Sequence, residues 1–235
     1  MSDNQTSPNS RDWLLLIGGS TYKFTLTGFY LVALMAILKN HGYSLNQLSW
    51  IHLIGSIEAA KVLFAALMER RPAGRFGRFH GWLLAATLGL SAVFGLMACT
   101  DITQNFALLL TCCVLLSAMS AVYGCAMLGL SCIVLPHRER GFGGVIQTMA
   151  ARGGKMIGGA LVLWLYQEYG QTAAAGLMLA FSLLMLLQLL YYREPESPTA
   201  QGSWTALATR LVSFWQQPET GWRWLVLLFA VAVPY

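Results

Sequence analysis

Long runs of apolar residues, separated by short polar stretches, dominate this chain. A membrane-spanning helix needs about 20 mostly apolar residues. Six segments reach that length: roughly residues 13–38, 46–68, 81–99, 105–135, 142–166 and 172–192. None of them alternates apolar and polar residues with a period of two, which is the pattern of a membrane β-barrel strand. The pattern therefore predicts an all-α integral membrane protein with a six-helix bundle over residues 13–192.

The two ends of the chain depart from this pattern. Residues 1–12 are polar and are predicted to form a cytoplasmic tail, and residues 193–220 carry the prolines and mixed charges typical of a cytoplasmic linker. A further apolar run occupies residues 221–235. At 1.5 Å per residue it reaches about 20 Å, less than the roughly 30 Å of a membrane core. We therefore expect an incomplete seventh transmembrane helix, in a fragment or in the product of a split or truncated gene.

Composition and charge support a membrane protein. Apolar residues make up 56% of the chain and charged residues 11%, whereas soluble domains have about 25% charged residues. The net charge of +5 could indicate a nucleic-acid-binding protein, but the basic residues lie between the apolar runs. Of the ten Lys and Arg residues counted in the tail and loops, nine fall on one side of the membrane and only Lys39 on the other. The positive-inside rule then predicts a multi-pass inner-membrane protein with a cytoplasmic N-terminus, whose partner is the lipid bilayer and not nucleic acid.

The second loop carries a cluster of charged residues between the predicted second and third helices. Glu69 and Arg70 begin it, and Arg75, Gly77 and Arg78 form an Arg-x-Gly-Arg run. A carboxylate at a helix end that pairs with arginine can hold one of two transporter states. These five residues are therefore predicted to form a cytoplasmic gate. The alternative, in which the arginines act only as a topology signal, stays open.

This charged loop resembles the cytoplasmic signature of the major facilitator superfamily, with Glu69 in place of the usual Asp and a longer spacing. The longer spacing is similar to that of the AmpG-type muropeptide permeases and the related RhtX/FptX-type siderophore importers. Further residues that match this branch are residues 61–70, residues 139–143, Arg152, Gly158 and Gly159. Helix four departs from the AmpG pattern, because residues 122–129 contain no acid. The resemblance covers residues 13–192 and implies the six-helix N-terminal half of a twelve-helix fold plus part of a seventh helix.

Ionisable residues also occur inside the predicted helices, where a charge is costly and indicates a functional site by default. Lys23, Glu58 and Arg152 each lie 10 or 11 residues from a helix end. That spacing places them about 15 Å deep, close to the middle of the membrane core. Facilitator-type transporters bind their substrate near this level. The predicted substrate and translocation site consists of Lys23, Tyr30, Glu58, Lys61, Gln147, Arg152 and Lys155.

Polar stripes at helical spacing accompany these charges on helices one, four and five. Their members are Ser20, Lys23, Thr27 and Tyr30; Ser117, Ser120 and Gly124; and Gln147, Thr148, Arg152 and Lys155. A helix that faces only lipid would not carry such stripes, so they either line a solute cavity or join neighbouring helices. The Gly154-x-x-x-Gly158 spacing on helix five predicts close helix packing.

The charge balance of the predicted site indicates an anionic or zwitterionic solute. The predicted site contains one carboxylate, Glu58, and four cations, Lys23, Lys61, Arg152 and Lys155. Unpaired charge in a low dielectric needs a counter-charge. A siderophore or a muropeptide would supply one. Glu58 could alternatively pair with Lys61 or carry a coupled proton, and no other cofactor is expected.

These observations favour a secondary active transporter, a permease that works by alternating access with a missing C-terminal half or a partner half. The chain contains no nucleotide-binding P-loop. It is not expected to be an enzyme, because none of its four histidines shares a helix face with a carboxylate or another histidine at ligand spacing. The alternative is a truncated or non-transporting membrane component, such as a half-transporter remnant, a sensor or a scaffold.

Overall fold

A computed structural model describes residues 10–55, 64, 68, 77, 79–100, 106–136, 139–192 and 194. Throughout these residues the regular structure is helical. The described helices are α1 (Ser10–Asn40), α2 (Leu45–Gly55), α3 (His80–Cys99), α4 (Phe106–Val134), α5 (Arg140–Met156, Ile157–Leu161 and Val162–Tyr169 in succession) and α6 (Gln171–Tyr191). The predicted linker beyond Glu194 and the predicted seventh helix lie outside the described residues.

The all-helical membrane architecture predicted from the apolar runs is confirmed. Helices α1, α3, α4 and α6 are long and apolar enough, by length and composition, to cross a membrane. Helix α5 is as long but carries Arg152, Lys155 and Glu168. It continues three residues past the predicted end, because the turn that stops it is formed by Gly170 with a φ of 82°. Helix α6 begins at the next residue.

The turn between α1 and α2 follows from local sequence. Gly42 adopts a φ of 81°, and the amide of Tyr43 donates to the carbonyl of Leu38 at 3.3 Å. This is the hydrogen-bond pattern of a Schellman motif, which ends a helix at a glycine. Ser44 and Gln47 then form a capping box: the Gln47 side chain accepts from the Ser44 amide at 3.0 Å, and the Ser44 hydroxyl accepts from the Gln47 amide at 3.4 Å. A short loop with a cap at each end therefore joins the two helices.

Helix α3 packs along α6. One side chain at the start of α6 and one just beyond its end bind the two ends of α3. The Gln171 side chain donates to the carbonyls of Met97 and Thr100 at 3.0 and 2.9 Å. At the opposite end, the Glu194 carboxylate accepts from the first amides of α3. Because terminal backbone groups of a helix lack partners within the helix, these bonds replace solvent at both ends of α3.

Helices α1 and α5 cross with their backbones close together, and glycines permit it. A Cβ added at Gly154 would lie 2.7 Å from the Thr21 carbonyl oxygen, and one at Gly28 would lie 2.8 Å from the Lys155 Cα. A Cβ at Gly158 would overlap the carbonyl oxygen of Thr25. Helix packing by the Gly154-x-x-x-Gly158 motif is confirmed. Each helix takes a π-helical turn at this crossing, Phe29–Leu34 in α1 and Ile157–Leu161 in α5, and the two turns contact each other.

Buried polar contacts join α1 to α4 and α6. The Tyr22 and Ser182 hydroxyls lie 2.6 Å apart, and the Tyr22 ring meets the Tyr123 ring edge-on at 5.3 Å between centroids. The Tyr123 hydroxyl donates to the Gly19 carbonyl at 3.3 Å. Helix α1 therefore contacts α4 and α6 at the same time through buried polar groups.

Candidate functional site

Lys23 lies between α1 and α4, where the two polar stripes meet. Its side chain is half-buried, and a Cβ added at Gly124 would lie 2.9 Å from its Cε. Its ammonium nitrogen lies 5.2 Å from the centre of the Phe24 ring. The absence of a side chain at Gly124 therefore makes room for a lysine inside the bundle, and the stripes of α1 and α4 meet at this point.

Arg152 and Lys155 are both exposed on α5, and Gln147 is half-buried on the same helix. The backbone of Lys155 lies against Gly28 of α1, as the glycine crossing requires. The exposed cations of α5 are thus fixed next to α1, while their side chains extend away from the bundle core. On a helix that crosses a membrane, exposed charges need a polar environment such as a water-filled cavity.

Several predicted site residues lie outside the described residues. They are Glu58 and Lys61 of the translocation site and Glu69, Arg70, Arg75 and Arg78 of the gate. Their assignments remain predictions.

A cavity of about 230 Å³ opens between α1, α2, α3 and α4. Four residues of the predicted polar stripes line it, and so does His52 of α2; the four are Thr27, Tyr30, Ser117 and Ser120. Tyr30 is buried, and its hydroxyl donates to the carbonyl of Ile51. The predicted stripe on α1 is therefore divided, because Thr27 and Tyr30 line this cavity whereas Lys23 does not.

A second polar cluster lies where α3 begins and α6 ends. Glu194 Oε2 accepts from the amides of Phe79 and His80, both at 2.9 Å. Gly77 adopts a φ of 91°, and a Cβ there would lie 2.5 Å from the same carboxylate oxygen. Glycine is therefore required at position 77 both by the backbone conformation and by the approach of Glu194. Among the described residues, the other oxygen of Glu194 is buried with no hydrogen-bond partner.

Additional bonds tie this cluster to the start of α1. The Tyr192 hydroxyl donates to the Asp12 carboxylate at 3.0 Å, and His80 Nε2 lies 2.8 Å from the Leu189 carbonyl oxygen. Burial raises the pKa of the Tyr192 hydroxyl above its ordinary value, and the charge of Asp12 raises it further. The tyrosine is therefore protonated at physiological pH and serves as a hydrogen-bond donor that joins α6 to α1.

Sequence reasoning missed Glu194 and His52. The sequence pattern places Glu194 in a linker, and its bond to Phe79 spans 115 residues. The sequence pattern gives His52 no partner at ligand spacing and therefore no role. Within the described residues no group of three His, Cys, Asp or Glu side chains could hold a metal ion.

The sequence profile of the Major Facilitator Superfamily matches residues 15–235. The chain belongs to the major facilitator superfamily. Members are built from membrane-spanning helices, in agreement with the apolar helical bundle. Among curated relatives, the chain is 27% identical over 227 residues to the anhydromuropeptide permeases of Escherichia coli K12 and of Escherichia coli O157:H7.

These alignments cover 95% of this chain and 45% of each permease. The chain therefore spans about half the length of the curated relatives it matches. The resemblance to the muropeptide-permease branch of the superfamily, drawn from the charged loop and from helix five, is confirmed. The chain is thus a multi-pass membrane protein of a transporter family.

Proposed function

We propose that the chain is half of a secondary active transporter that moves an anionic or zwitterionic, muropeptide-like solute across the bacterial inner membrane by alternating access. Its N-terminus lies in the cytoplasm, as the distribution of Lys and Arg residues indicates. A second half, in the same polypeptide or in a separate one, completes the path. The solute binds between the two halves near the middle of the membrane.

The observation that carries this proposal is the exposure of Arg152 and Lys155 on a helix of a membrane transporter. Lys155 is the nearer of the two to α1, because its backbone lies against Gly28. Such a group of cations favours a ligand that brings negative charge. Muropeptides carry carboxylates, and the relatives that share 27% identity are named as anhydromuropeptide permeases.

The experiment is uptake of a radiolabelled anhydromuropeptide into cells that carry the natural locus with Arg152→Ala or Lys155→Ala. A hydrogen bond to a charged group contributes about 1.5–3 kcal/mol, so each substitution should lower uptake about tenfold or more. Lys39→Ala is the matched control, because Lys39 is also an exposed lysine but lies at the end of α1. Its uptake should equal that of the unmodified chain.

Full uptake in both cation variants would contradict the anion-binding site. Uptake of a ferric siderophore without uptake of a muropeptide would overturn the choice of substrate but keep the anionic class. The same cells should be used to measure the mass of the native product with an N-terminal tag. A product at 25.8 kDa that transports neither solute, alone or with a second chain, would favour a non-transporting membrane component.

Proton coupling through Glu58 is part of this proposal. Glu58 is a carboxyl group inside a predicted membrane span, and Lys61 follows it by three residues. If Glu58 carries the coupled proton, Glu58→Gln should abolish the pH dependence of uptake. An unchanged pH profile in this variant would remove Glu58 from the coupling mechanism.

A further inference from the structure

We propose that the last turns of α1 and α5, Met35–Asn40 and Val162–Tyr169, are two arms that bend together about the facing π-helical turns of these helices. Single π-helical turns are rare, and they occur mostly at functional sites and at helix kinks. Here one lies on each helix, and the two are in contact. A bend at this level would therefore involve both helices. The inference goes beyond the proposed function, because it concerns a movement within this chain and needs no solute.

The contacts between α1 and α5 change from backbone to side chain at the π-helical turns. Before the turns, a Cβ added at Gly154 or Gly158 would meet backbone atoms of α1, so the two helices are fixed against each other there. Within the turns, the three atoms nearest to a Cβ added at Gly159 all belong to the Val32 side chain, the closest at 3.1 Å. Val32 is 47% exposed and can shift without displacing the core. The arms therefore begin where the rigid contact ends.

Each arm has little packing to hold it in place. Among the eight residues of Val162–Tyr169, only Val162 is buried, and Ile37 and Leu38 are the buried residues of the other arm. A cavity of about 20 Å³ also separates parts of both arms from helices α3 and α6. Regions with few buried apolar contacts open at a low free energy. The arms can therefore move while the rest of the bundle stays packed.

The far end of each arm is a glycine turn with open space around it. Gly42 follows the first arm and Gly170 the second, with φ of 81° and 82°. No described atom lies within 4 Å of a Cβ added at either glycine. Hinges are typically a few residues at the ends of helices that absorb a change in backbone dihedral angles, and glycine does so at little steric cost. Each arm is thus bounded by a π-helical turn on one side and by an unpacked glycine on the other.

A side-chain contact joins the two arms to each other. The Nε2 atom of His41, the residue that caps the first arm, lies 2.6 Å from the Tyr166 hydroxyl oxygen, and the two rings meet edge-on at 6.3 Å between centroids. The contact lies at the surface, so it connects the arms without anchoring them to the core. The arms therefore move as one unit while this bond is intact.

A bend at the turn of α1 would also change the cavity between α1, α2, α3 and α4. Phe29, Tyr30 and Leu31 belong both to this turn and to the cavity lining. The bond from the Tyr30 hydroxyl to the carbonyl of Ile51 extends the effect to α2. Because coupling between two sites is reciprocal, the position of the arms and the shape of the cavity depend on each other.

The test is hydrogen exchange, followed by mass spectrometry, of the whole chain in lipid nanodiscs. Tyr166→Phe removes the hydroxyl that contacts His41 and keeps the ring. Loss of one neutral hydrogen bond corresponds to about a 2- to 12-fold change in an opening equilibrium. Peptides from both arms should exchange faster by such a factor, although the substitution lies on one arm only. Peptides from the parts of α1 and α5 that precede the turns should exchange as in the parent chain.

Tyr169→Phe is the matched control. Tyr169 lies on the same arm as Tyr166, but its ring contacts Trp164 of that arm instead of α1. This variant should exchange like the parent chain in both arms. Val32→Ala tests the turns themselves, because it removes the side chain that lies between them. Both arms should exchange faster in Val32→Ala even though the contact of His41 with Tyr166 is intact.

Two results would overturn the inference. In Tyr166→Phe, faster exchange confined to Val162–Tyr169, or unchanged exchange in both arms, would show that the arms are not coupled. Faster exchange along the whole of α1 and α5 would show a general loosening of the bundle and no hinge at the π-helical turns. The measurement contains no solute, so a coupled arm would stand in a chain that transports nothing, and its absence would leave the transport proposal unaffected.

Discussion

Gly158→Ala, at the crossing of α1 and α5, should destabilise the bundle, whereas Gly153→Ala on the same helix should not. A Cβ at Gly158 would overlap the Thr25 carbonyl oxygen and lie 2.8 Å from the Phe29 amide nitrogen. Ordinary contacts between heavy atoms are about 3.5–4.0 Å, so the second contact alone is about 0.7 Å too short. Both neighbours are backbone atoms, which cannot rotate away, and the helices must therefore separate.

Gly153→Ala is the control for this prediction. Gly153 is exposed on the same helix, and no atom lies within 4 Å of a Cβ added there. Both substitutions gain the same helix propensity, up to about 1 kcal/mol for Gly to Ala. The difference between the two variants therefore isolates the cost of overpacking, about 1–3 kcal/mol.

The assay is thermal unfolding of the purified chain in detergent, followed by tryptophan fluorescence. For a domain of this size, a free-energy difference of about 1 kcal/mol corresponds to roughly 2–4 °C in Tm. Gly158→Ala should therefore melt about 2–12 °C below Gly153→Ala. If the two variants melt at the same temperature, the close approach of α1 and α5 does not exist.

Two further predictions concern the contact between Gly77 and Glu194. Gly77→Ala should lower the Tm more than Gly42→Ala. Both glycines have a positive φ, which costs about 1–2 kcal/mol in each variant, but of the two only Gly77 has a side chain within contact of its added Cβ. Equal melting of the two variants would refute the contact. Glu194→Gln should lower the stability by about 1 kcal/mol in the same assay, because it removes the negative charge from the N-terminus of α3. An unchanged Tm at low ionic strength would show that the charge does not contribute.

The sequence predicted the helices well because a membrane leaves the backbone few alternatives. Unsatisfied peptide groups are too costly in lipid, so a long apolar run must form a helix. The glycine spacing at Gly154 and Gly158 was equally informative, because residues four apart lie on one face of a helix whatever its surroundings. These features depend on local sequence alone.

The cavity and the Glu194 contact could not be predicted in the same way. The cavity depends on the relative rotation of four helices, and the π-helical turn Phe29–Leu34 changes the register of α1 within it. Helical spacing placed Lys23 and Tyr30 on one stripe, yet only Tyr30 lines the cavity. Glu194 contacts the start of α3 because α3 and α6, of 20 and 21 residues, pack antiparallel, which no pattern near Glu194 reveals.

The crossing of α1 and α5 links the position of the cavity to that of the exposed cation Lys155. Thr27, which lines the cavity, is adjacent to Gly28 in sequence, and Gly28 packs on the backbone of Lys155. A change in the distance between these helices would therefore move the Thr27 hydroxyl and Lys155 together. A ligand that contacts both residues would bind most tightly at one helix separation. Because a ligand shifts an equilibrium only by its difference in affinity between states, a solute that reaches both residues would favour this separation more than a solute that reaches only one of them.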